Sequence, residues 1–146
     1  MRTEDDEAYL GIPVPGDSVR GYLDALHAYL GEADFRLYTH NQQLRDRSTH
    51  HITFVNPREH ALIPSPRLEG LVGRRGPVEM SGIGVAERGG DRAFFVVCES
   101  AFFQGLRRQL GLAHSDLHVT LGFDAADVHE VRKDHGTLIR NLRHGS

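Results

Sequence analysis

The stretch STHHITFV, Ser48 to Val55, decides how this chain is read. After a polar lead-in comes a run rich in β-branched and aromatic residues, which predicts a strand over His50 to Val55. Residues two apart on a strand point the same way, so His51 and Thr53 share a face while Ile52 and Phe54 pack behind them. A polar pair on one face of an otherwise apolar strand needs a wet or ligand-filled surface. The same step recurs in DLHVTLGF, Asp116 to Phe123, where His118 and Thr120 share a face with Val119 and Leu121 behind.

Working outward, the two steps have similar surroundings. AYLGIPVP (Ala8 to Pro15) reads as a strand closed by prolines. In the helix after it, Asp17 or Ser18 is the cap, Val19, Tyr22, Leu23, Leu26, Tyr29 and Leu30 form the apolar stripe, and Gly31 is the stop. AFFVVCES (Ala93 to Ser100) reads as another strand. Ser100 then caps a helix with Phe102, Phe103, Leu106 and Leu110 inward and Gly111 as its stop. Each half is strand, helix, glycine, then a strand bearing His-x-Thr, with a longer linker in the first. The expectation is an α+β domain over 1–146 built from a duplicated lobe, at about 8–56 and 92–123, with the copies meeting about a pseudo-twofold axis.

The rest of the chain reads less sharply. DFRLYTH (34–40) is expected as a strand and NQQLRDRST (41–49) as a loop. NPREHALIPSPRLEG reads as loop with at most a short helix, and GPVEMSGIGVAERGGDRAFFVVCES as a hairpin turning at RGGD. After Phe123 a turn or short helix precedes a last strand or helix.

Composition sets bounds. At 146 residues the chain can bury a real core, and its net charge of −3 does not advertise a bulk polyanion binder, although one groove can still be basic. Cys98 is alone, so no internal disulfide forms; it reads as a buried small hydrophobe in a reducing compartment. No apolar run approaches membrane-spanning length, and the acidic start MRTEDDE does not suit a signal peptide. The expected location is cytoplasmic.

Two such strands related by a pseudo-twofold aim two imidazoles and two hydroxyls into one cleft, a set that suits a phosphate diester. Imidazole titrates near neutrality, so one ring takes a proton while the other gives one. The hydroxyls hold non-bridging oxygens, and in-line displacement needs base and acid on opposite sides of phosphorus. This chemistry requires neither metal nor cofactor.

On HITF from His51 and HVTL from His118, the chain resembles the two-histidine (2H) phosphoesterase superfamily, whose two H-hydrophobe-[T/S]-hydrophobe motifs lie on a duplicated α+β fold. AYLGIPVP and the helix after it resemble the opening of the RNA-ligase-like and cyclic-phosphodiesterase branches. The resemblance spans roughly Ala8 to Phe123. It implies two antiparallel sheets flanking a central cleft, helices outside, and His51 and His118 as the acid–base pair with Thr53 and Thr120 as phosphate binders. Family members act on 2′,3′-cyclic phosphates, cyclic phosphates of ADP-ribose, or 2′–5′ linkages. Which histidine is the base depends on which oxygen leaves. The tail HVTLGFDAADVHEVRKD resembles the branch found with RNA-repair proteins, which implies an RNA or nucleotide end carrying a cyclic phosphate as partner. The alternatives are a 2′–5′ or cyclic-oligonucleotide hydrolase and a module that binds a nucleotide end without turnover. The sequence leaves the oligomeric state open, and a monomer is compatible with it.

Further residues are candidates for substrate contact. Tyr38 can stack a base, and Arg36 and Arg45 can meet phosphate, although surface charge explains the arginines equally well. Phe123 can wall the cleft or join the core. Lys133 can reach phosphate or ribose, within a cluster (Asp127, His129, Lys133, Asp134) that otherwise reads as a solvated helix face. His129 and His135 match no metal-site spacing. His50 should face away from the cleft, Arg74 and Arg75 make a basic turn, and Arg107 and Arg108 are placed on the outer face of their helix.

Overall fold

The protein is described by a computed structural model over residues 9–129 and 131–143. Ala8, where the first strand was expected to begin, lies outside the described residues, as do the acidic start, Glu130 and the last three residues of the predicted tail. The strands are β1 (Leu10–Val14), β2 (His50–Val55), β3 (Glu79–Arg88), β4 (Asp91–Glu99), β5 (His118–Phe123) and β6 (Leu138–Arg143). They form one antiparallel sheet in the order β1-β2-β5-β4-β3-β6. The class is α+β, as expected. Pro13, with no N–H to give, is tolerated because β1 is an edge strand. The β3–β4 hairpin turns on Gly89 and Gly90, both at positive φ, as a two-residue turn requires.

A single sheet replaces the two that were expected. β2 and β5 pair at Ile52↔Val119, the middle residues of the two His-x-Thr steps. Ile52 is 1% exposed and Val119 0%, so pairing buries both and occupies backbone groups that two separate sheets would leave on open edges. Alternate side chains of β4 serve two cores. Phe94, Val96 and Cys98 face the cluster that includes Leu26 of α1 (Gly16–Leu30), Tyr38 of α2 (Glu32–Asp46) and Phe103 of α5 (Ala101–Gln109). Phe95 and Val97 face a smaller cluster with Phe123 and Val128. Cys98 is buried as expected, and burial pushes its thiol up to about 12.

The helices bring three corrections. The strand expected at 34–40 and the loop after it are the single helix α2. The hydrophobes of DFRLYTH imitate a strand's alternation, but the inward positions are Phe35, Tyr38, Thr39 and Gln42, which is helical spacing; Leu37 and Leu44 are left 50% and 67% exposed. Half of that stripe is polar and is held by bonds a pattern cannot show, Thr39 Oγ1 to Phe35 O at 2.8 Å and Gln42 Nε2 to Thr49 O at 2.8 Å. Neither Asp17 nor Ser18 caps α1; Pro15 stands at the cap position and Asp17 falls in the first turn. Arg107 is buried rather than outward, because α5 packs against the end of β2: Nη1 donates to Phe54 O at 2.7 Å and Nη2 to Glu59 at 2.7 Å. Ser100 does cap α5, accepting from Phe103 N at 3.1 Å.

The segment after β2 forms two short helices, α3 (Pro57–Leu62) and α4 (Ser65–Glu69), the first opened by a capping box between Asn56 and Glu59. The tail makes a 3₁₀ turn over His135–Thr137 before β6. Among the described residues no helix is long and apolar enough to cross a membrane.

Gly122 lets α2 lie directly on β5: a Cβ there would sit 2.9 Å from the Tyr38 backbone. Gly122→Ala is therefore expected to lower unfolding free energy by about 1–3 kcal/mol in denaturant titrations, the usual cost of overpacking. Gly105→Ala, in α5 with only the Arg108 side chain 3.6 Å away, should raise it by up to about 1 kcal/mol.

Candidate active site

Both His-x-Thr strands carry a bulge at the same place. β1 pairs Gly11↔Thr53 and then Leu10↔Val55, which leaves Phe54 as the extra residue. β4 pairs Phe95↔Thr120 and then Phe94↔Gly122, which leaves Leu121 as the extra residue. Each bulge turns the following position to the helix-covered face, while the His and Thr before it keep the open face. The Ile52↔Val119 register sets His51 across from Thr120 and Thr53 across from His118. The histidines are diagonal neighbours, about 7–8 Å apart across the strands. All four side chains line one cleft of about 450 Å³, a volume within the range of small-molecule sites.

His118 is held from behind. Its Nδ1 lies 2.7 Å from the Asp116 carbonyl oxygen, which can only accept, so Nδ1 carries the hydrogen and Nε2 keeps its lone pair in the neutral ring. The edge of the ring meets Phe95, centroids 5.6 Å apart. Burial, then the Lys133 charge, draws its pKa down to about 4. The Asp116 carboxylate accepts from Arg132 Nε at 2.6 Å and from Lys133 N at 3.1 Å, and the Arg132 bond holds it below the usual carboxylate range. On β2, the His51 ring lies 5.3 Å from the Tyr9 ring at a tilt.

Buried charges underlie the cleft. Asp127 sits between Arg45, which donates to it, and Lys133, whose Nζ is 3.4 Å away. Burial alone would raise the Asp127 pKa, but the two cations outweigh it and bring it to about 2. Arg45 is also paired with Asp46 at 2.8 Å. Lys133 is 5% exposed, and burial lowers its pKa against the pull of Asp127.

A family model described as Swiss Army Knife, 2H phosphoesterase domain matches residues 19–129, which include both His-x-Thr steps and most of the residues that line the cleft. The chain belongs to the 2H phosphoesterases. No curated protein and no solved structure matches it. As a 2H phosphoesterase it is a hydrolase acting on phosphodiesters. The family match stops four residues short of Lys133.

Within this 2H phosphoesterase the other sequence candidates divide. Arg45 and Lys133 line the cleft, and Lys133 is buried in an ion pair rather than on a solvated helix face. Arg36 is on the outer surface, paired with Glu32. Tyr38 is buried under α2, its hydroxyl taken by Arg92 at 2.9 Å, so it is not available to stack a base. Phe123 is in the second core with Arg45 5.0 Å above its ring, and it does not wall the cleft. His129 lines the cleft, whereas His135 bonds Ser81 and faces Glu99. His50 is turned from the cleft, its Nε2 buried without a hydrogen-bond partner. Asp116 and Tyr9 were missed. Asp116 lies inside the quoted motif, but its role comes from a backbone carbonyl, which has no sequence signature. Tyr9 sits one residue ahead of β1, in a strand-like run where an aromatic residue reads as ordinary.

His118 predicts how stability changes with pH. Between about pH 4 and 6.5 the unfolded chain binds a proton at this ring and the folded chain does not, so stability rises with pH across that window. Discounted for the part of the ring that still meets water, the change should be about 2 kcal/mol, and His118→Gln should flatten it in urea melts from pH 4 to 7. Asp127 acts in a lower window: its stabilisation holds above the unfolded value of 3.8 and fades as pH falls toward 2.

Proposed function

We propose that this protein opens cyclic phosphates, with a 2′,3′-cyclic phosphate at a nucleotide or RNA end as its substrate class. One observation carries this reading: the register Ile52↔Val119 brings His51, Thr53, His118 and Thr120 into one cleft, each imidazole diagonal to the other. Water attacks phosphorus, and one histidine takes its proton. The P–O bond to one ribose oxygen breaks, and the other histidine protonates that oxygen, leaving a phosphomonoester beside a free hydroxyl. Thr53 and Thr120 donate to the non-bridging oxygens as charge builds there. The tether between the two ribose oxygens keeps the leaving group in place, so the site has only to align water and proton donor. The mechanism needs no metal, and the working compartment is the cytoplasm.

His51→Ala and His118→Ala should each lower turnover of a 2′,3′-cyclic nucleotide by about 10²–10⁴, the scale of general acid–base catalysis, with the circular dichroism spectrum kept. Full activity in both variants would refute the scheme. Thr53→Val and Thr120→Val should cost about 10² each. Wild-type turnover should survive exhaustive chelation. A panel of 2′,3′-cyclic nucleotides, ADP-ribose cyclic phosphate and 2′–5′ oligonucleotides, with the phosphate position identified in each product, tests the substrate class. Preferential cleavage of a 2′–5′ linkage would replace this reading with the 2′–5′ phosphodiesterase alternative, and tight binding without product at any pH would replace it with a binding module.

A further inference from the structure

We propose that Lys133, delivered by the segment after β5, is a positioning residue that, together with burial of the ring, favours uncharged His118 and so makes His118 the proton acceptor and His51 the proton donor. This rests on the cyclic-phosphate reading for its consequence, but not for its physical content.

Two routes converge on the same ring. Asp116, two residues ahead of His118, is gripped by the tail: Arg132 takes its carboxylate with Nε at 2.6 Å and Nη2 at 3.0 Å, and the Lys133 backbone N–H adds a third bond at 3.1 Å. The carbonyl of that clamped residue holds His118 Nδ1–H at 2.7 Å, which fixes the tautomer and leaves Nε2 as the basic nitrogen. The side chain of Lys133 then runs inward. Its ammonium lies 5.4 Å above the Phe95 ring, the same ring whose edge meets His118. A cation fixed in that position disfavours a second positive charge on the imidazole.

The groups that face His118 are Lys133 and Asp127 from the segment after β5, Arg45 from the end of α2, and Asp116 ahead of the strand; His51 and His129 line the same cleft. Arg45 is held between Asp46 and Asp127, two carboxylates, so its charge is largely answered. Among the described residues the carboxylate paired with the Lys133 ammonium is Asp127, at a long 3.4 Å, and Asp127 is already engaged by Arg45. Lys133 is thus the less fully compensated of the two cations. A neutral ring that lines the cleft with its Nδ1 already engaged offers Nε2 as the nitrogen to take a proton from water. The donor role then falls to the ring on β2.

The test is a pH titration of histidine imidazole resonances in the full chain, with His118→Ala used to assign the signal. In the wild type the His118 midpoint should lie well below the ordinary histidine value. In Lys133→Met it should rise by about one unit or more, and in Lys133→Arg, which keeps the charge, it should stay low. Lys133→Gln replaces the methionine variant if that one does not fold. The acid limb of kcat/KM for a 2′,3′-cyclic nucleotide should move up by the same amount, which a purely structural role for Lys133 would not cause. An unmoved His118 midpoint in both neutral variants overturns the proposal. A moved midpoint in a protein that opens no cyclic phosphate overturns the reaction assigned above and leaves the electrostatic role of Lys133 standing.

Discussion

One strand pairing, Ile52 against Val119, is the constraint on which the molecule depends. Side chains alternate along a strand, so a slip of one residue in either partner would turn its histidine and threonine into the core and its isoleucine or valine into the cleft. Burial of the two apolar residues opposes that slip, at a cost of roughly 2 kcal/mol for each side chain exposed to water. The same contact closes the sheet and brings the two histidines and two threonines to one cleft, so stability and the proposed function draw on one interaction.

The bulges at Phe54 and Leu121 resolve a conflict that regular strands would create. A strand that keeps strict alternation would continue its polar-facing side onto Val55 and Gly122, and the cleft would then be floored by the wrong residues. Inserting one residue after each threonine sends Val55 back into the main core and lets Gly122 meet the backbone of α2. On each strand the His and Thr therefore form a short polar patch on the open face. That patch lies within the residues that match the 2H phosphoesterase family.

Charge around the cleft is used for placement. Arg107 with Glu59 ties α5 to the end of β2, and Asp127 ties the tail and the end of α2 to the floor of the site. Buried ion pairs of this kind add little net stability, since the lost hydration offsets the attraction, but breaking one leaves a charge stranded. They fix the geometry of the histidine strands from outside the motifs, and Lys133 itself lies beyond the residues that the family match covers.

The sequence by itself determined the α+β class, the strands of both His-x-Thr steps, the hairpin, the cap at Ser100 and the family, because each of these rests on spacing between near neighbours along the chain. It did not disclose α2, whose inward face at Thr39 and Gln42 is polar and is held by bonds rather than by hydrophobicity. Nor did it disclose the inward turn of Arg107, the burial of Tyr38, or the carbonyl of Asp116 behind His118. Only tertiary structure decided those, and only it joined the expected two sheets into one. Each depends on partners tens of residues away or on a backbone atom that every residue possesses, and periodicity along a chain carries no information about either.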